Sequence, residues 1–205
     1  MIELYFWTTD NGHKARQAME ESGLPYHPRP VNLQKREQFS PEYMKISPGH
    51  KIPALVDDSG PGGVRVTLFE SGAILKYLGT KSGGVLYPSD PVRQLKVDQW
   101  LFYGSSTFTT QAQQYGLFKH RFGQDVPPAR QHYEAQVKDM FGIFDRHLAD
   151  NEYMAGAYSV ADISIYPDVH VHGKNDLGLK DYPNLERWHD AIAARPAVQR
   201  AWAPL

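Results

Sequence analysis

Residues 51–78 read KIPALVDDSGPGGVRVTLFESGAILKYL. Two short apolar runs, 51–56 and 64–69, flank the glycine-rich turn at 60–63. Paired runs about a tight turn form a β-hairpin. The period then changes, because Ala73, Ile74, Tyr77 and Leu78 fall on one helical stripe over 71–78. This stretch predicts strand, strand, helix, with an antiparallel edge.

Working back toward the start, residues 2–7 are a β-branched and aromatic run closed by Thr8-Thr9-Asp10-Asn11-Gly12, all turn and cap residue types. Residues 13–22 read as a helix, with Ala15, Ala18 and Met19 on one face and Gly23 as its stop. A second strand is expected at 27–31 and a short helix at 41–46, opened by Pro41. The order is βαβαββα, and its strand-helix-strand start requires parallel pairing. Past residue 80 the strand signals stop. Residues 81–90, rich in glycine, serine and proline, read as a linker between a domain at 1–80 and an all-helical one at 91–205. Helices are expected there over 91–118, 128–147, 159–170 and 183–194.

Composition narrows the functional classes. With 22 Lys plus Arg against 23 Asp plus Glu, the net charge is −1, which argues against broad electrostatic binding of nucleic acid. There is no cysteine. A disulfide framework, a thiolate zinc site and a cysteine nucleophile are therefore excluded. The opening residues have no basic region before an apolar core, and no apolar segment approaches the ~20 residues of a membrane span. A cytoplasmic protein without membrane partners is expected.

Three local patterns carry chemistry. Thr9-x-Asn11-Gly12 lies between the first strand and first helix, where unpaired N–H groups and a partial positive charge stabilise an anion. Plain N-capping accounts for the same residues. In Lys51-Ile52-Pro53-Ala54, a proline inside a strand-like run marks an edge, a bulge or a cis bond. A cis bond would turn the Ile52 N–H and C=O outward, to pair with an extended ligand. At Phe69-Glu70-Ser71, a strand gives way to a helix. There Ser71 suits a carboxylate and Glu70 an ammonium group, as in a free amino acid. The βαβαββα order brings all three to one edge of one sheet.

The combination resembles the glutathione transferase family over essentially the whole chain. Ile52-Pro53, Glu70-Ser71 with Ala73-Ile74-Leu75, and Tyr158-Ser159-Val160-Ala161-Asp162, a capping box in the helical domain, all match. The resemblance implies a thioredoxin-like first domain, an all-helical second one, a homodimer, and glutathione as co-substrate with no metal. Glu70 and Ser71 would bind the γ-glutamyl end, the Ile52 backbone beside Pro53 the cysteinyl unit, and Lys51 or Gln38 the glycyl end.

The run from Leu4-Tyr5-Phe6 through Thr9-x-Asn11-Gly12-His13-Lys14 looks like the nu class, as do Gln38-Phe39-x-Pro41-Glu42-Tyr43 and Ile46-Ser47-Pro48. Its members are related to the yeast nitrogen-regulation prion protein and reduce disulfides with two glutathione units in one pocket. By that resemblance Thr9 and Asn11 hold the glutathione thiolate. Tyr5, at the position where other classes keep a catalytic tyrosine, ranks behind them. Where relatives carry an arginine reaching from the second domain, this chain has Ala129-Arg130-Gln131-His132-Tyr133. His132 would make a weaker contact at neutral pH, and Arg130 stands half a helical turn away.

His170-x-His172 lacks the three or four convergent ligands of a metal site. The aromatic residues Trp100, Phe102, Tyr103, Phe108 and Tyr115 divide between core and dimer contact on one side and a candidate wall for an apolar second substrate on the other. The expected activity is a glutathione-dependent disulfide-bond reductase. The alternatives are a general conjugating or peroxide-reducing transferase, and a non-catalytic glutathione-binding module.

Overall fold

The computed structural model describes residues 1–171 and 173–204. These group into two compact units, the first from Met1 to Ser89 together with the segment that begins at Pro196, the second from Asp90 to Arg195.

The first unit runs β1 (Ile2–Phe6), α1 (Asp10–Ser22), β2 (Tyr26–Pro30), α2 (Pro41–Met44), β3 (Ala54–Asp57), β4 (Val66–Phe69) and α3 (Ser71–Lys81). The four strands lie in the order β2-β1-β3-β4. β1 pairs in parallel with β2, while β3 is antiparallel to both β1 and β4. Side chains alternate across a strand, so Ile2, Leu4 and Phe6 share one face of β1. They are buried, as are Ala15, Ala18 and Met19 of α1 and Ile74, Leu75 and Leu78 of α3, the two helices that pack on each other. The opposite face carries a smaller cluster of Val31, Tyr43 and Ala54, with Tyr5, Ile46 and Ile52 packed against it.

The second unit contains α4 (Pro91–Phe102), α5 (Thr109–His120), α6 (Pro127–Leu148), α7 (Val160–His170) and α8 (Pro183–Ala193). Its core helix α7 is buried along nearly its whole length. At its start the Ser159 hydroxyl accepts from the Ala161 N–H (3.3 Å), while Asp162 accepts from the N–H groups of Ser159 (3.0 Å) and Met154 (2.9 Å). The Trp188 indole N–H, 2.8 Å away, completes the set. Burial, which outweighs these donors, pushes the Asp162 carboxyl up to about 6.

Two expectations change. The single helix over 91–118 is split by a wider, π-helical turn at Tyr103–Phe108. Gly104 lies so close to α7 that a Cβ there would collide with the Ser164 hydroxyl and come within 2.7 Å of Ile165 Cγ1. The helical stretch expected over 91–205 also does not all belong to one unit. α9 (Pro196–Trp202) packs on α1. There the His13 and Trp202 rings stack at 3.9 Å, and Arg200 pairs with Glu20 at 2.8 Å.

Candidate functional site

Sheet register decides which segments meet. Tyr5 lies opposite Ala54, and Ala54 opposite Phe69. The end of β1, the start of β3 and the end of β4 therefore share one edge. Thr9 follows the first, Ile52-Pro53 precedes the second, and Glu70-Ser71 follows the third. Two helices, α1 and α3, begin at that edge. Their first-turn N–H groups make it favourable for anions.

Thr9 is the N-cap of α1, and its Oγ1 accepts from the Gly12 N–H at 3.2 Å. The hydroxyl proton is not consumed by this bond, so the cap retains a donor. Gly12 has a stricter role than a turn residue. A Cβ there would run into the Trp7 carbonyl oxygen, so only glycine lets α1 start this close to β1. Asn11 is half-buried with its Oδ1 enclosed and unpartnered among the described residues. The donors of its amide lie on Nδ2.

The Ile52–Pro53 bond is cis, one of the alternatives the sequence left open. Strand pairing begins only at Ala54, so the Ile52 peptide lies beyond the ladder. The loop is held from behind, because the Lys51 carbonyl accepts from the Tyr43 hydroxyl (2.7 Å) and the Ser47 hydroxyl (2.8 Å). Both donors are buried, and burial pushes the Tyr43 phenol up to about 12. Neither is marked for this role by the sequence, although Tyr43 and Ser47 stand inside the two motifs quoted above. Lys51 itself is exposed. Gln38 lies in a one-turn 3-10 helix, Glu37–Phe39, on the segment linking β2 to that loop, with its Oε1 enclosed and unpartnered among the described residues.

Glu70 has φ 73° and ψ 117°, a region that disfavours residues with a Cβ, and its side chain makes no capping bond to α3. Such strain costs on the order of 1–3 kcal/mol and persists where the surroundings over-determine it. Its carboxylate is exposed, whereas Ser71, the first residue of α3, is buried. An acid open to solvent beside an uncapped helix start presents both signs of charge within two residues.

Tyr5 belongs elsewhere. It points to the α2 side of the sheet, 6.0 Å from the Tyr43 ring, and its hydroxyl donates to Glu3 (3.0 Å). Burial and then Glu3 hold its phenol above the ordinary value. In the second unit His132 is exposed on α6 against Tyr133, and Arg130 pairs with Asp125 at 3.7 Å. Among the described residues no three His, Asp or Glu converge as for a metal. His172 lies outside the described residues. No helix among them is long and apolar enough to cross a membrane.

Comparison with known proteins agrees along the chain. Residues 2–80 match the model for the glutathione S-transferase N-terminal domain, and residues 117–202 that for the C-terminal domain. The chain is 38% identical to the disulfide-bond oxidoreductase YfcG of Escherichia coli K12, over 98% of this chain and 94% of that protein. It is also similar to a Pseudomonas fluorescens glutathione transferase family member solved with two glutathione bound. That match has a TM-score of 0.93 at 33% identity and covers 98% of this chain and 92% of that one. A Pseudomonas putida glutathione transferase solved with one glutathione disulfide per subunit gives a TM-score of 0.92 at 36% identity, covering 98% and 90%.

Proposed function

The chain belongs to the glutathione S-transferase family, and from that premise we propose that it is a glutathione-dependent disulfide-bond reductase working without a protein cysteine. The observation that carries this reading is the meeting of Thr9, Ile52 and Ser71 at one sheet edge with two helix starts, in a chain with no cysteine at all. The relative named as a disulfide-bond oxidoreductase and the neighbour holding two glutathione molecules support it.

In this reading Glu70 takes the glutathione ammonium, and Ser71 with the start of α3 takes the adjacent carboxylate. The Ile52 peptide pairs with the cysteinyl unit, and Lys51 and Gln38 meet the glycyl carboxylate. Thr9 donates its spare proton to the sulfur, assisted by the Asn11 amide and the start of α1. Lowering a thiol by one pKa unit takes about 1.4 kcal/mol, within reach of one charge-assisted hydrogen bond. The thiolate attacks one sulfur of the substrate disulfide and expels the other as a thiolate. A second glutathione thiolate then attacks the mixed disulfide, releasing glutathione disulfide and the second substrate thiol. Both electrons come from the two glutathione molecules.

A homodimer belongs to the same proposal. Val92, Leu95 and Phe102 form an exposed apolar row on α4, 64%, 70% and 56% exposed, of the kind a second copy covers. The cytoplasm, where glutathione is reduced, is the fitting compartment.

The deciding experiment compares glutathione-driven reduction of 2-hydroxyethyl disulfide with conjugation to 1-chloro-2,4-dinitrobenzene, in wild type and in Thr9→Ala with Asn11→Ala. Fast disulfide turnover with weak conjugation is expected. The double variant should lose at least about tenfold in turnover and raise the bound-thiol pKa by about one unit. Strong conjugation alone points instead to a general transferase, and binding without turnover to a regulatory module.

A further inference from the structure

On the face of the sheet opposite α1, a cleft of about 540 Å³ opens between β2 and α2. Its size is that of a small-molecule site. The rings of Tyr5 and Tyr43 stand 6.0 Å apart among its lining residues, with Val31 and Ile46 beside them. Neither phenol offers its proton to the cleft, since Tyr5 donates to Glu3 and Tyr43 to the Lys51 carbonyl.

Charge around the cleft has one sign left over. Arg29 is committed to Glu3, with Nε 2.9 Å from Oε1. Glu37 and Glu42, both exposed, line the same cleft, and Glu37 spends one oxygen on the Asn32 N–H (2.7 Å). Strand addition is a poor use of this edge. β2 is an edge strand, but Pro28 and Pro30 have no N–H to give an incoming peptide. Aromatic walls, surplus acid and a blocked strand edge together select a small cation with an apolar body.

We propose that this cleft is a second small-molecule site, taking a protonated amine carried on an aromatic or alkyl body, and that its occupancy is felt at the Lys51–Pro53 loop. The link is short. Tyr43 lines the cleft and holds the Lys51 carbonyl, while Ile52 packs on the same Val31, Tyr43 and Ala54 cluster. The second half of the proposal rests on the reading of that loop as glutathione-binding, whereas the first half does not.

The test is calorimetric titration of the whole protein, without glutathione, with tryptamine and with indole-3-propionate, which exchanges the amine for an acid. Tryptamine should bind at least fivefold more tightly, and Glu42→Gln should weaken it about three- to fivefold while leaving indole-3-propionate unaffected. Equal affinity for the two indoles, or indifference to Glu42→Gln, overturns the site whatever the protein does with glutathione. Glutathione affinity is then measured with and without saturating tryptamine. A twofold or larger change that disappears in Tyr43→Phe, which keeps the ring and removes only the hydroxyl, supports the link. An unchanged affinity in wild type overturns it, and by reciprocity tryptamine affinity must then be unaffected by glutathione.

Discussion

Two helices of this protein start with a serine and an acid close together, and the two starts are finished in opposite ways. At α7, Ser159 and Asp162 turn inward, and the acid takes two backbone N–H groups and an indole N–H in a site with no solvent. At α3, Glu70 sits in a strained backbone conformation with its carboxylate in solvent, and its side chain makes no bond to the helix it precedes. The first start spends its polar groups on the fold. In the proposed function the second keeps them for glutathione, so that one pair of residue types would mean stability in one place and recognition in another.

The largest expected effect is at the closed end. Asp162→Ala strands three buried N–H donors and should cost about 3–5 kcal/mol in urea denaturation. A loss under about 1 kcal/mol would erase the contrast. The pH dependence of the same residue comes next. Its folded-state carboxyl is raised to about 6 from an ordinary 3.8, so the folded state favours the protonated form. The contribution is complete below about 4 and is lost as pH rises through about 6. Relative to Asp162→Asn, wild type should therefore gain up to about 3 kcal/mol of stability between pH 7 and pH 4. A difference that is flat with pH would mean that the three donors match the cost of burial.

At the open end the effects move from stability to binding. Ser71→Ala should change unfolding free energy by less than about 0.5 kcal/mol, yet weaken glutathione about tenfold or more by calorimetry. The smallest effect is Glu70→Gly. It should stabilise the fold by up to about 1 kcal/mol, because glycine accepts φ 73° without strain. It should weaken glutathione at the same time. A variant that gained stability and kept its affinity would remove Glu70 from the site.

The parts of this molecule legible in sequence are those set by local period. Alternation in Ile2–Phe6 and the helical stripe after Ser71 predict their elements, and the βαβ start with its hairpin predicts that Thr9, Ile52 and Ser71 meet. The closed state of Ser159 and Asp162 was also readable, as a capping box. What stayed hidden depends on atoms distant in the chain. The π-helical turn at Tyr103–Phe108 exists where Gly104 meets Ser164, and a helical stripe of aromatics looks the same with or without it. The grip of Tyr43 and Ser47 on the Lys51 carbonyl requires the loop between them to be closed. The placement of Tyr5 is a matter of parity. It alternates with Ile2, Leu4 and Phe6 along β1, so it faces α2 and never shares a side with α1.

The docking of α9 on α1 bears on how the chain is made. His13, Arg16 and Glu20 find Ala201, Ala203 and Arg200 only after the 180 or more residues that separate each pair have been made. A ribosome adding about 5–20 residues per second leaves that face of α1 uncovered for on the order of ten seconds or more. During this interval the strands and α3 are already outside the exit tunnel, and the helix carrying Thr9 and Asn11 waits for its cover. The first unit to emerge is thus the last to be finished.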